Sequence, residues 1–158
     1  MRFIVFLSAI LLVSFSSLSM AACVRAKKAS FHKDPTSRSK EIYSVGKYFP
    51  FLPTGKKEKG YSQVQDMDGK IGWVRSRDLN WHWNCLAVKV QKSKLRSGPG
   101  TQFSSAETAE KGESFLDIGG EDGWIQVQNA DGEKQWVNLD HIWKPREAMR
   151  MSFEPEHP

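Results

Sequence analysis

Long apolar runs are nearly absent from this sequence. Beyond residue 21, no segment of the 158-residue chain is apolar enough to cross a bilayer as a helix, so we predict no transmembrane segment in the mature protein. The one near-continuous apolar run, residues 3–13, follows the basic Arg2 and precedes small residues at positions 19 and 21. That order is typical of a secretory signal peptide. We therefore predict that residues 1–21 are removed and that the protein is exported to the periplasm or the extracellular space.

Cysteine is also scarce, with only Cys23 and Cys85 in the chain. Because export brings thiols into an oxidising compartment, the simplest interpretation is one disulfide between them. The alternative is a lipoprotein anchored at Cys23, since residues 20–23 loosely match a lipobox. Methionine is a poor residue at the first position of that motif, and lipidation would leave Cys85 as a free thiol. We favour the disulfide.

The residue patterns that support catalysis are missing. The histidines show no metal-ligand spacing; they are His32, His82, His141 and His157. A cysteine peptidase needs a free thiolate beside a histidine, and both cysteines are expected to pair. The carboxylates are scattered, and several belong to turns. We predict no enzyme activity, no cofactor and no metal.

The chain carries a formal net charge of +5, and its basic residues form no single block. In an exported protein, a mild positive charge suits anionic wall polymers, lipid headgroups or acidic proteins. Export argues against nucleic acid as a partner. We interpret the basic excess as spread along the chain.

An internal repeat organises the sequence. One set of matches lies 63 residues apart: Gly60-Tyr61 with Gly123-Trp124, Val64 with Val127, Asp68-Gly69 with Asp131-Gly132, Trp73-Val74 with Trp136-Val137, and Leu79 with Ile142. An earlier set lies 64 residues apart: Phe31 with Leu95, His32 with Arg96, Pro35 with Pro99, and Phe51 with Phe115. So many matches in the same order indicate two copies of one fold.

Each copy has the pattern of short strands. Residues 124–128 alternate apolar and polar, residues 129–132 form a turn, and residues 134–138 continue, which predicts a hairpin. Residues 61–65 and 71–75 repeat this arrangement. No stretch shows a 3.6-residue period. Several short strands in each copy, separated by glycine and proline, predict an all-β protein of two small barrels in tandem.

These motifs resemble the bacterial SH3-like (SH3b) family. Residues 95–100, Leu-Arg-Ser-Gly-Pro-Gly, follow the opening motif of that family, and the later Gly-Trp, Val, Asp-Gly and Trp-Val pattern is also family-like. In the first copy the opening motif keeps only Phe31 and Pro35, so a role of Arg96 does not carry over to His32. The resemblance implies SH3-like barrels that bind peptidoglycan peptides, wall polymers or proteins rather than catalyse a reaction.

The predicted organisation has five parts. They are a signal peptide at 1–21, an SH3-like domain at 22–80, an aromatic linker at 81–84, a second SH3-like domain at 85–144 and a C-terminal tail at 145–158. A short helix at residues 146–151 is possible, and a frayed tail is favoured.

Eight residues are candidates for ligand binding, because flat aromatic faces stack on sugars or peptides while polar edges orient them. They are Tyr61, Trp73, Trp81, Trp83, Trp124, Trp136 and Trp143, with Arg96 of the opening motif. Four nearby cations suit the carboxylates of a wall peptide, although a solvated surface is the commoner role for any one of them. They are Arg75, Arg77, Lys89 and Lys94.

Each candidate also has a purely structural interpretation. We favour core positions for Trp73 and Trp136, and leave Tyr61 and Trp124 open between core and groove. At strand spacing, the linker residues Trp81 and Trp83 face one side. We favour packing between the barrels over an open cleft for this pair, with Trp143 at the same interface.

For Arg96 we favour bracing of its own loop over contact with a ligand. The function predicted from the sequence is non-catalytic recognition of peptidoglycan or another cell-wall polymer. The alternative is a protein-interaction adaptor or regulatory module of the periplasm or envelope.

Overall fold

The structure is a computed structural model that describes residues 21–105 and 107–145. The predicted signal peptide, apart from its last residue, and the predicted tail, apart from its first, lie outside the described residues. Within the described ranges, no helix has the length and apolar character needed to cross a membrane.

Fourteen strands and two short 3-10 turns make up the regular structure of the described residues. Barrel one contains β1 (Ala22–Val24), β2 (Lys28–His32), β3 (Glu41–Gly46), β4 (Pro50–Glu58), β5 (Tyr61–Gln65), β6 (Ile71–Arg75) and β7 (Leu79–Asn80). Barrel two contains β8 (Cys85–Val88), β9 (Lys92–Leu95), β10 (Glu107–Glu110), β11 (Ser114–Glu121), β12 (Trp124–Gln128), β13 (Lys134–Asn138) and β14 (Ile142–Trp143). The 3-10 turns, Ser76–Asp78 and Leu139–His141, precede the last strand of each barrel.

The two barrels share one antiparallel topology. In barrel one the strands are joined in the order β3-β2-β6-β5-β4-β1-β7. Barrel two repeats this order as β13-β12-β11-β8-β14 with β10-β9 as a separate pair, and a single bridge between Arg96 and Trp136 connects them. The same connection in barrel one is the pairing of His32 with Trp73. The prediction of an all-β fold with two small barrels of the same topology in tandem is confirmed.

A side-chain cap closes the β5–β6 hairpin. The carboxylate of Asp66 accepts hydrogen bonds from the backbone N–H groups of Asp68 (3.0 Å) and Lys70 (2.8 Å). It also accepts a hydrogen bond from the hydroxyl of Tyr43. Asn129 caps the β12–β13 turn in the same way. Burial, followed by the hydrogen bond to Asp66, raises the pKa of Tyr43 above its ordinary value. Short polar side chains that bond their own backbone are what these tight turns require.

Each barrel has an apolar core, and Ala87 of β8 packs in the core of barrel one; the two cores differ in character. In barrel one the ring of Phe31 stacks on Tyr43 (4.8 Å between centroids) and on Phe51 (5.6 Å). Gly72 leaves room for that stack, because a Cβ atom there would lie 2.5 Å from the Phe31 ring. Barrel two has an aliphatic core with the single aromatic Phe115.

A disulfide joins β1 to β8. Cys23 and Cys85 are bonded with their Cα atoms 6.0 Å apart, so the predicted pairing is confirmed. A bonded Cys23 has no thiol to carry a lipid. The rings of Tyr48 and Trp83 pack edge to face against each other, 5.3 Å apart, in the same buried cluster as the disulfide. This cluster forms the contact between the barrels.

Two polar contacts flank the cluster. The hydroxyl of Ser114 donates to the Lys47 carbonyl (3.0 Å), and Lys111 pairs with Asp68 (2.8 Å). Tyr48 itself has a left-handed backbone with φ of 73°. That conformation is strained for a residue with a Cβ, so its packing against the disulfide must offset a cost.

Candidate functional site

Arg96 braces the opening loop of barrel two, residues 97–104. Its Nη1 donates to the carbonyl oxygens of Thr101 (3.1 Å) and Phe103 (2.7 Å). The guanidinium carbon lies 5.8 Å from the ring centroid of Trp124, and the backbone of Arg96 pairs with Trp136. Bracing, the role favoured from the sequence, is what the structure shows for this residue.

His32 has the equivalent position in barrel one, whose opening loop is residues 33–40. Its Nδ1 lies 3.3 Å from the carbonyl oxygen of Ser39, which corresponds to Phe103. Its ring meets Tyr61 edge to face at 5.9 Å. The loop is closed by a backbone bond from Lys33 to Lys40, as the other loop is closed from Ser97 to Ser104. The loop geometry therefore survives although most of the motif does not.

The outer face of each barrel carries tryptophans that we expected in the core. On β6 the buried residues are Gly72 and Val74, so the intervening Trp73 points to the opposite side of the strand and is half-buried. Trp136 is likewise half-buried beside the buried Val137, and neither tryptophan belongs to a core cluster. The expectation of core positions for this pair is wrong.

Tyr61 and Trp124 lie on the same outer face, one at the start of β5 and the other at the start of β12. Tyr61 pairs across the hairpin with Arg75, and Trp124 pairs with Asn138. Tyr61 is only 6% exposed, whereas Trp124 is half-buried. Both are thus neighbours of the opening loops rather than members of the core clusters.

The remaining tryptophans do not gather at one place. Trp81 packs against the core of barrel one, with the Lys57 ammonium 5.5 Å from its ring. Trp83 packs on the disulfide between the barrels. Trp143 is half-buried in β14, where it pairs with Ala87. Packing between barrels holds for Trp83, and the expectation that Trp81 and Trp83 face one side is wrong.

A groove of about 690 Å³ opens on barrel one between its opening loop and the turn that precedes β5. We call it the barrel-one groove. Its lining residues are Pro35, Thr36, Ser37, Lys59, Gly60, Tyr61, Arg75, Ser76 and Arg77. Every charged side chain in this lining is basic. Hydroxyls and one aromatic residue make up much of the rest.

Two of the three cations of the barrel-one groove, Lys59 and Arg77, are exposed, and Arg75 is half-buried. Arg75 Nε donates to the hydroxyl oxygen of Tyr61 (3.3 Å), and this hydrogen bond raises the pKa of Arg75. Lys59 pairs with Glu58 at 3.0 Å, and Arg77 Nε is 4.0 Å from Asp78. The Lys59 and Arg77 side chains are 73% and 76% exposed, so these pairs contribute little and yield easily to an anion.

Barrel two has a smaller cavity, of about 330 Å³, around the equivalent turn. Its lining residues are Asp117, Gly119, Gly120, Glu121, Asp122, Gly123, Trp124, Ile125, Leu139 and Lys144. Lys144 pairs with Asp117 at 3.0 Å, and both side chains are largely buried. Two carboxylates, those of Glu121 and Asp122, remain at the surface of this cavity.

Charge is divided between the barrels, which the sequence interpretation missed. Residues 22–80 contain thirteen Lys and Arg against six Asp and Glu, a net charge of +7. Residues 81–144 contain seven against nine, a net charge of −2. The interpretation of a basic excess spread along the chain is wrong. Counting the charged residues separately in each copy of the repeat reveals this division.

No protein-family model matches this sequence, and no curated protein is similar to it. Among solved structures, NlpC1 from Trichomonas vaginalis is 11% identical with a TM-score of 0.36, over 78% of this chain and 45% of that one. NlpC2 from the same organism is 12% identical with a TM-score of 0.35, over 78% and 47%. The endolysin LysPBC5 CBD is 14% identical with a TM-score of 0.32, over 79% and 93%. The chain thus spans under half the length of either Trichomonas protein, and likenesses this weak carry no information about ligand or activity.

Proposed function

We propose that this protein is an exported, non-catalytic binding protein that recognises an anionic polymer of the cell envelope, with peptidoglycan as the first candidate. The observation that carries the proposal is the barrel-one groove. The exposed Lys59 and Arg77 and the half-buried Arg75 line it and, among the described residues, no carboxylate does. Barrel one also holds the whole basic excess of the two domains.

The chemistry of the barrel-one groove fits such a polymer. Guanidinium groups pair with carboxylate or phosphate oxygens, often through two parallel hydrogen bonds. The hydroxyls of Thr36, Ser37 and Ser76 supply further polar groups, and the buried Tyr61 forms part of the wall beneath Arg75. A groove that opens to solvent suits part of an extended chain better than a small molecule, since small-molecule sites bury most of their ligand.

Retention on purified sacculi tests the proposal. We expect the mature protein to be retained at about 0.01 M salt and released near 1 M, because the screening length falls from about 30 Å to about 3 Å over that range. Bovine serum albumin in the same assay controls for nonspecific trapping. No retention at low salt would contradict the proposal. Retention on an envelope protein but not on sacculi would favour the adaptor alternative.

A further inference from the structure

We infer that the tandem has a single anion-binding groove, on barrel one, because barrel two carries acidic or neutral residues where the groove has its cations. This inference rests on the proposed function and assigns it to one of two equivalent faces. The corresponding positions are Lys59 with Asp122, Arg75 with Asn138, and Arg77 with Asp140. Exchange of all three cations changes the local charge by five units.

The correspondence is structural as well as sequential. Lys59 and Asp122 have nearly the same left-handed backbone, with φ of 49° and 47°. Arg75 pairs with Tyr61 across β5–β6, as Asn138 pairs with Trp124 across β12–β13. The positions therefore present their side chains at matching places on the two barrels.

The turns that follow these strands match as well. The backbone N–H of Ser76 donates to Gly60 at 2.9 Å, and that of Leu139 donates to Gly123 at 2.9 Å. Each bond fixes the start of a 3-10 turn that carries the third position, Arg77 or Asp140. The charge reversal is thus built on one unchanged backbone.

Among the described residues, Lys144 and Arg96 are cations close to this face of barrel two, and both are engaged. Lys144 lines the cavity and pairs with Asp117 at 3.0 Å. Arg96 bonds two loop carbonyls and lies over Trp124, so its charge and the aromatic surface beneath it are used within the barrel. In barrel one the smaller His32 makes one hydrogen bond with its loop, and its ring lies perpendicular to that of Tyr61. This difference leaves the barrel-one groove open between the loop and the hairpin.

The ligand of this groove is a linear polyanion with carboxylate or phosphate oxygens spaced along it. Three cations at the rim of an open groove give a salt-sensitive site for such a chain. Barrel two has a net charge of −2, which disfavours binding of the same polyanion. The tandem therefore binds one stretch of polymer at a time.

Charge exchange between the two faces is the experiment. K59D/R75N/R77D gives barrel one the residues of barrel two, and D122K/N138R/D140R with R96H does the reverse. K92D/K94D/K134N, at exposed positions of β9 and β13, changes the net charge by the same five units away from the groove. Dissociation constants and stoichiometries are measured with sacculi, polyglutamate and polyphosphate, and circular dichroism confirms folding. K59D/R77D replaces the triple variant if loss of Arg75 unfolds barrel one.

We expect K59D/R75N/R77D to weaken binding roughly thirty-fold or more, since each lost surface ion pair costs a few-fold in affinity. The K92D/K94D/K134N control should bind within a few-fold of wild type. The reverse variant should bind at two sites. Preference for polyglutamate or for polyphosphate identifies the anionic group.

Equal loss in the triple variant and in the control would overturn the inference and leave the proposed function standing, because general charge would then explain binding. Unchanged binding by the triple variant would also overturn it. A reverse variant that gains no second site would also overturn the inference, because the charge difference would then not explain why barrel two does not bind. If wild type binds none of the three probes, the proposed function itself fails.

Discussion

Replacement of Arg96 by alanine should destabilise barrel two without abolishing polymer binding. The substitution removes two hydrogen bonds from a charged donor to the carbonyls of Thr101 and Phe103. It also removes the cation–π contact with Trp124. Because both carbonyls lie at the surface, where water screens the charge, we take each bond as worth about 1 kcal/mol, the value for an ordinary hydrogen bond.

The sum, with a small contribution from the ring contact, is about 2 kcal/mol. For a domain of this size, 1 kcal/mol shifts the melting temperature by roughly 4–8 °C. The barrel-two transition of Arg96→Ala should therefore fall by roughly 8–15 °C. Differential scanning calorimetry measures it, with sacculus retention recorded on the same sample.

Arg96→His is the matched control, since barrel one uses histidine at this position. One ring nitrogen can meet the carbonyl of Phe103, as His32 meets Ser39 at 3.3 Å. We expect a loss of stability about half that of Arg96→Ala. A melting temperature unchanged in Arg96→Ala, together with lost retention, would refute the bracing role and make Arg96 a ligand contact.

Three further predictions address the fold. Removal of the disulfide in C23A/C85A should cost about 4 kcal/mol in urea unfolding, the chain-entropy value for a separation of 62 residues, and a change under 1 kcal/mol would contradict its role. Gly72→Ala should destabilise barrel one by about 1–3 kcal/mol through overpacking, whereas Gly46→Ala, with no atom within 4 Å of its added Cβ, should have little effect. The pKa of Tyr43 is raised in the folded state, so the stability linked to its neutral hydroxyl is present below the unfolded pKa of about 10 and is lost as the pH rises further. Tyr43→Phe should therefore flatten the fall in unfolding free energy between about pH 9 and 12, and an unchanged slope would contradict this account.

The fold was predictable because its signals are local. Alternating strands around Asp-Gly turns at 68–69 and 131–132 determine the hairpins, and their repetition implies a second barrel. The disulfide followed from two cysteines in a chain expected to be exported. Each of these inferences needs only neighbouring residues or a count.

The tryptophan positions were not predictable from alternation alone. A period of two separates the faces of a strand but does not say which face is the core. On β6 and β13 the valines at 74 and 137 are buried, and the larger Trp73 and Trp136 lie outside. In each barrel the residue that leads into the opening loop, His32 or Arg96, pairs with this tryptophan through the backbone, and both tryptophans are half-buried.

The linker prediction assumed that a strand continues past residue 80. Instead, the side-chain oxygen of Asn80 accepts hydrogen bonds from the backbone N–H groups of His82 (2.9 Å) and Trp83 (3.0 Å). The resulting turn breaks the alternation, so Trp81 and Trp83 contact different clusters. A side chain that caps the backbone is decisive here, and its geometry is not visible in spacing.

The sequence also did not reveal that the opening loop of barrel one, residues 33–40, keeps the backbone geometry of the loop in barrel two. Its shape depends on backbone hydrogen bonds, and these match barrel two although the residues differ. One ring nitrogen is enough to meet the loop carbonyl. The net charge of the whole chain does not show the charge difference between the barrels, because it is the sum of two values of opposite sign.

We infer that only barrel one binds the anionic polymer. Backbone amide chemical shifts, followed by NMR during titration with polyglutamate or polyphosphate, test it most directly. We expect saturable shifts at Gly60, Tyr61 and residues 75–77, with residues 122–124 and 138–140 unchanged. Comparable shifts in both sets, or shifts confined to barrel two, would contradict it.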